Sequence, residues 1–360
     1  LHLSDYPATL RITTKERRKL MAHDLEIQNG KTSFASFREP AWHGLGTVFT
    51  EEKNTSEMLA LANLNGWNVR LEDLETPSHL TSDKNYQYVL RTNPTDNAQT
   101  DILGVVGERY HVMQNEDLFS FGDNILDGGG RWETAGSIKG GRVVFGALAL
   151  ERETVLDPSG VADKVKTYLL INTSHDGSIA IQASITPVRV VCANTLNLAL
   201  NGIGRKKNKG IKQSFKIRHT QTASGKVAIA RQTLGLANAY MDEFDVMAKA
   251  MIEKEVSAKM FNDIILSAYP KPEKDSKGAV KKWENKVDVI NDIYTGEFNG
   301  MIAGNAWGAF NALTERLDWY RSARGGNNES ILASASGFDP AINAEKNRLL
   351  KVVQNVMSLA

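Results

Sequence analysis

A chain of 360 residues with 41% hydrophobic and 24% charged residues has the composition of a folded globular protein, long enough for one large domain or two ordinary ones. A single cysteine excludes an internal disulfide and any all-cysteine metal site. No run of about 18 apolar residues is present to span a bilayer, and the net charge of +1 hides a strong asymmetry: from Gly177 to Met241 there are ten basic residues and no Asp or Glu, which leaves −9 on the rest of the chain.

The N-terminal region, residues 1–100, is a mixture. Residues 15–22 are charged and read as helical or mobile. The first twenty residues lack the apolar core of a signal peptide, so the expected setting is cytoplasmic. PAWHGLGTVF (40–49) reads as a Gly-rich turn segment. TSEMLALANLNG (55–66) predicts a helix capped at Thr55 or Ser56 and stopped by Gly66. WNVRLEDL alternates like a strand, and TNPTDNAQTD (92–101) reads as a turn-rich connector.

The central region, residues 101–220, has the clearest pattern. ILGVVG (102–107) predicts a short buried strand, and NEDLFSFGDNILDGGG (115–130) a helix with Asn115 as N-cap, acids in its first turn and glycines at its end. RWETAGSI and RVVFGALALE flank KGG as a hairpin. VKTYLLINT and SIAIQASITPVRVVC form a second hairpin across SHDG, where Asp176-Gly177 supplies the positive-φ turn. ANTLNLALNGIG reads as a closing helix. This order predicts an α+β fold, a central curved antiparallel sheet of hairpins with helices packed on one face. The C-terminal region, residues 221–360, is expected to be mostly helical. Its periodic segments are 223–268 with a break near KEVSAKM, AVKKWENKVDVINDIY, NAWGAFNALTERLDWYRS and NAEKNRLLKVVQNVM.

The chain lacks the G-x-x-x-x-G-K-[ST] phosphate loop, and its seven histidines form neither H-x-H nor H-E-x-x-H, so no cofactor and no metal site is expected. A catalytic group is not expected either. Cys192 follows Val188 and Val190 on one face of its strand and reads as core. His175-Asp176 would contribute first to any metal assembled from distant residues, with His111 a further candidate, but SHDGS reads as turn chemistry in which Asp176 bonds the local backbone. Trp283, Trp307, Phe310, Trp319 and Tyr320 read as core or subunit contacts.

A one-sign block within a near-neutral chain points to a polyanion, a solvated loop or an acidic surface in an oligomer being the plainer alternatives. Arg205, Lys206, Lys207, Lys209, Lys212, Lys216 and Arg218 are interleaved with Gly, Asn, Ser and one aromatic, Phe215. Single-stranded nucleic acid is held by such a combination, a basic groove along the phosphates with aromatic faces under the bases. Arg189, on the opposite strand face from Cys192, either joins these in contacting phosphate or pairs with an acid of the first hairpin such as Glu133.

PAWHGLGTVF, LGVVGERYHVMQNED, NTSHDGS, TPVRVVCANTLNLAL and AWGAFNALTERLD resemble, in this order, the phage/plasmid-like proteins built on domain of unknown function 932. That resemblance implies a phage or plasmid origin and a bacterial cytoplasmic setting, and transfers no active site. At the level of fold, hairpins followed by a helix with a basic groove are similar to the core of single-strand annealing recombination proteins. This implies binding of single-stranded DNA through its backbone, homo-oligomeric rings or filaments, and strand pairing without ATP. The alternatives are a metal-dependent nucleic-acid-processing enzyme using His175, Asp176 and His111, or a phage structural or regulatory assembly protein.

Overall fold

The computed structural model describes residues 25–38, 45–74, 86–125, 130–157, 159–189, 194–195, 214–217, 226–272, 277–320 and 340–359, with the backbone alone described at 189, 194–195, 214–217, 226–237, 319, 340 and 359. The protein is α+β. Its strands are β1 (Ile27–Gln28), β2 (Lys31–Thr32), β3 (Phe34–Phe37), β4 (Thr47–Phe49), β5 (Arg70–Asp73), β6 (Tyr86–Asn93) and β7 (Asp96–Gly107), followed by β8 (Arg131–Ile138), β9 (Val143–Leu156), β10 (Asp163–Ser174), β11 (Ile181–Arg189), β12 (Asn194–Thr195) and β13 (Ser214–Ile217). Helices α1 (Thr55–Leu61) and α2 (Asn115–Ile125) lie among them. Helices α3 (Lys226–Ile252), α4 (Ala258–Ala268), α5 (Lys277–Thr295), α6 (Ala306–Trp319) and α7 (Pro340–Leu359) make up the C-terminal part.

The main sheet runs β12-β11-β10-β9-β8-β3-β4, with β13 also on β11. Strands β8 to β11 form a continuous antiparallel meander, so the two expected hairpins are joined by a third turn between β9 and β10. Gly177, at φ +76°, supplies the β10–β11 turn as the sequence required. The sheet is not wholly antiparallel. β4, inside the segment expected to be a turn, pairs parallel with β3. Gly46 makes this close pairing possible: at φ +91° a Cβ there would fall 2.5 Å from the Phe34 carbonyl oxygen.

Three local expectations are corrected. The cap of α1 is Asn54, whose side chain accepts from Glu57 N at 3.0 Å while the Glu57 carboxylate accepts from Asn54 N at 2.9 Å. This reciprocal box satisfies two donors at once, which Thr55 or Ser56 one step later would not. Asn115 does not cap α2. It is helical, and its Nδ2 donates to the Leu64 carbonyl at 2.8 Å. Nor is 92–101 a connector, because β7 begins at Asp96 after a two-residue turn. The Asn93 side chain organises that turn, its Oδ1 accepting from Thr95 N at 2.9 Å and Asp96 N at 3.1 Å. β7 therefore runs on through residues 100 and 101, and Ile102 and Val105 within it are exposed rather than buried.

One face of the main sheet carries the core. Leu148, Val165, Leu169, Ile171, Ile181, Ala183 and Ile185 pack with Leu118, Phe119 and Phe121 of α2. Phe119 stacks on Trp132 at 4.7 Å between centroids. The helical part docks through polar as well as apolar contacts. Trp307 Nε1 of α6 donates to Asp163 Oδ2 at 2.8 Å, and Arg152 of β9 reaches Asp242 and Asp245 of α3 at 2.8 and 2.7 Å. Trp307 and Phe310 are fully buried, in keeping with their expected core role; Trp283 and Tyr320 pack against the same core, and the Trp319 side chain lies outside the described residues.

Candidate nucleic-acid interface

β11 is the strand on which the expected interface converges. Its C-terminal end pairs with β12, with Val188 opposite Thr195 and Arg189 opposite Asn194. Its N-terminal end pairs with β13, with Gln182 opposite Lys216 and Ser184 opposite Ser214. The two strands that flank residues 196–213 are therefore both paired with β11 on its edge away from β10. Arg205, Lys206, Lys207, Lys209 and Lys212 belong to that segment and lie, like Arg218 and Cys192, outside the described residues. Phe215 and Lys216 are in β13 and Arg189 in β11 by their backbone.

The pairing of β12 corrects the expectation of a strand running straight into a helix. Asn194 and Thr195 are a strand antiparallel to β11. The remainder of the expected helix, 196–204, lies outside the described residues. Val188 is the Cα partner of half-buried Lys166, whereas Arg189 is that of Val165, a core residue. Glu133 lies on β8, three strand spacings or about 14 Å from β11, and its carboxylate accepts from Arg131 at 2.5 Å.

The second face of the main sheet is polar and largely covered. On β10 it carries Tyr168, Leu170, Asn172 and Ser174; on β11, Gln182, Ser184, Thr186 and Val188. Asn172, Ser174, Gln182, Ser184 and Thr186 are all buried. β9 contributes Phe145, Ala147 and Ala149, the Cα partners of Asn172, Leu170 and Tyr168. At the Tyr168 end the face becomes charged. Burial, reinforced by the Glu133 carboxylate, pushes the Tyr168 phenol up to about 12, and the Glu133 hydrogen bond raises the Arg131 guanidinium above its usual value. At the other end the described polar side chains of β10 and β11 are amides and hydroxyls.

Three of those buried polar atoms, Asn172 Oδ1, Gln182 Oε1 and Ser184 Oγ, have no hydrogen-bond partner among the described residues. An unsatisfied buried polar group costs roughly 1–3 kcal/mol, so their grouping on one face is a feature to be explained. The motif reading passed over these residues. The alternation of polar and apolar positions in IQASIT was the available signal, but it reads equally as an ordinary solvated face.

His175 and Asp176 divide between two structural duties. His175 is fully buried beside Trp67, with Nε2 2.9 Å from Asn115 Oδ1. Asp176 Oδ1 accepts from Ser178 N at 2.9 Å, the turn chemistry its sequence context predicts. Burial acts to raise the Asp176 pKa, but the hydrogen bonds from Ser178 outweigh it and hold the carboxyl below its usual value. Among the described residues no three His, Cys, Asp or Glu side chains group so as to hold a metal ion, and no helix is long and apolar enough to cross a membrane.

Compared with known proteins, the chain matches one family model, described as a domain of unknown function (DUF932), over residues 102–336. That span takes in the β8–β11 meander, β12, β13 and helices α2 to α6. No curated protein and no solved structure matches.

Proposed function

We propose, for a chain that belongs to the DUF932 family, that it binds single-stranded DNA and anneals complementary strands in phage or plasmid recombination. It would act without ATP, as a homo-oligomer in the bacterial cytoplasm. The observation that carries this reading is the acid-free basic block, because the strands on either side of residues 196–213 pair with the same edge of β11. A linear polyanion laid along that edge would release counterions from each phosphate that the basic residues neutralise. Arg189, Lys216 and Arg218 flank those residues, and Phe215 is the one aromatic between Arg205 and Arg218.

The test is binding of fluorescent single-stranded and duplex 50-mers at two salt concentrations, with annealing followed in the same tube. Tight, salt-sensitive binding of single strands with faster annealing is expected. Charge reversal at Lys206, Lys207 and Lys209 should weaken binding and reduce the salt slope by about one ion per removed contact. Unchanged affinity in that variant would remove the basic stretch from the interface, and no binding at low salt would end the DNA reading altogether.

A further inference from the structure

We infer that the amide-lined end of the polar sheet face, formed by Phe145, Asn172, Gln182 and Ser184, holds an unpaired nucleobase bearing an exocyclic amine, a contact in addition to the phosphates. This rests on the single-strand reading above and deepens it. Asn172 is the Cα partner of both Phe145 on β9 and Gln182 on β11. The three residues thus form one row across adjacent strands, and directly opposed side chains in an antiparallel pair stand about 5 Å apart. Ser184 lies two residues along β11 on the same face.

The chemistry of the row is specific. Asn172, Gln182 and Ser184 are 2%, 5% and 1% exposed, and the unpartnered atoms are two amide oxygens and a hydroxyl. Amide oxygens accept hydrogen bonds. A phosphate or carboxylate brings only acceptors and is opposed by both amide oxygens, with the Ser184 hydroxyl the single unpartnered group able to donate to it, whereas an amino group on an aromatic ring brings two donors. The amide side chains of Asn and Gln meet the edge of adenine in this manner, oxygen to the exocyclic amine and nitrogen to the ring. Phe145 supplies the second requirement. It is half-buried, as is Ala147 two residues along the same face, so the β9 end of the row is the part that reaches solvent. A base stacked on a partly exposed aromatic ring with its edge on amide side chains is the arrangement by which proteins take splayed single-strand bases.

The row also lies next to the basic segment, because Lys216 is the Cα partner of Gln182. A strand whose phosphates follow the β11 edge has its bases within reach of this face. Asn172 and Gln182 lie within the long strands of the meander, and fixed backbone favours selection among bases over adaptation to all of them.

The experiment compares 12-nucleotide strands of dA, dC, dT and an abasic strand of the same length and charge, by fluorescence anisotropy at a single salt concentration. The full-length wild-type protein should bind dA and dC about tenfold more tightly than the abasic strand, with dT, which lacks an exocyclic amine, between them. Phe145→Leu, and separately the pair Asn172→Leu with Gln182→Leu, should bring dA down towards the abasic level while leaving abasic binding unchanged. Equal binding of dA and abasic strands by the wild-type protein overturns the base site and leaves the phosphate interface intact. That comparison needs no variant, so a misfolded mutant cannot obscure it. Failure to bind any strand, abasic included, overturns the single-strand reading as well.

Discussion

The guanidinium of Arg91 lies over the indole of Trp67, with Cζ 4.0 Å from the ring centroid. Arg91 is fully buried, and its N–H groups donate to the Glu26 carboxylate and, at 3.0 Å, to Asp101. Glu26 also accepts from Ser137 Oγ at 2.7 Å. The cluster joins β6 and β7 of the three-stranded sheet to β8 of the main one, through residues far apart in sequence. A planar donor is needed both to stack and to meet the carboxylate in two places. Arg91→Lys should therefore destabilise by about 3 kcal/mol, because it leaves Glu26 buried and under-satisfied. The urea unfolding midpoint measures it, and an unchanged midpoint would mean the cluster contributes little.

Lys346 on α7 and Asp318 on α6 form a second buried pair at 2.8 Å, both nearly inaccessible. Burial outweighs the attraction of Asp318 and lowers the Lys346 pKa. Removing one partner strands a charge: Lys346→Met alone should cost about 3–5 kcal/mol. Replacing both, Lys346→Met with Asp318→Leu, should recover most of that loss. A double variant no more stable than the single one would show that these side chains are held by other contacts.

Acid should unfold the protein through a small set of carboxylates. Burial acts to raise the Asp101 pKa, but hydrogen bonds from Gln28, Arg91 and Asn93 outweigh it and hold the group below its usual value. The Arg348 hydrogen bond does the same for Glu345. A carboxyl depressed in the folded state contributes stability that is complete above its ordinary pKa, about 4, and is lost as pH falls through the depressed value. The expected profile is flat near neutrality and declines below about pH 4. Asp101→Asn should make that decline shallower, as followed by urea midpoints across the acid range. Tyr168 has the opposite sign. Its phenol is raised to about 12, so its contribution is complete below about pH 10 and lost as pH climbs to the raised value.

Gly104 allows β7 to lie against the β10–β11 turn. A Cβ at this position would sit 2.8 Å from Asp176 Cβ and 2.9 Å from its Cα. Neither atom can swing aside, so Gly104→Ala must shift backbone, and overpacking of this kind costs typically about 1–3 kcal/mol. Thermal unfolding of the variant should show a lowered midpoint with the native circular dichroism retained. An unchanged midpoint would mean the two sheets slide without cost.

The elements legible in the sequence are those specified by neighbours along the chain. The β8–β9 and β10–β11 hairpins carry their own turn residues, with Gly177 at positive φ where Asp-Gly predicts it. The break between α3 and α4 and the periodic C-terminal helices follow from spacing alone. The acid-free basic block is likewise a property of the sequence before any folding. Caps were less legible, because Asn54 and Asn115 are equally good candidates by type and only the backbone decides which side chain turns back.

What only the tertiary structure decided are relations across long separations. Thr47–Phe49 joins β3 in parallel, Asn194–Thr195 folds back on β11, and β13 returns to the same edge. The physical reason is that alternation identifies a buried face only when the other face meets water. Here both faces of β10 and β11 are covered, so the polar row of Asn172, Gln182 and Ser184 reads in sequence as solvated surface. Three-dimensional packing, in which burial and hydrogen bonding are counted together, is what sets that row apart.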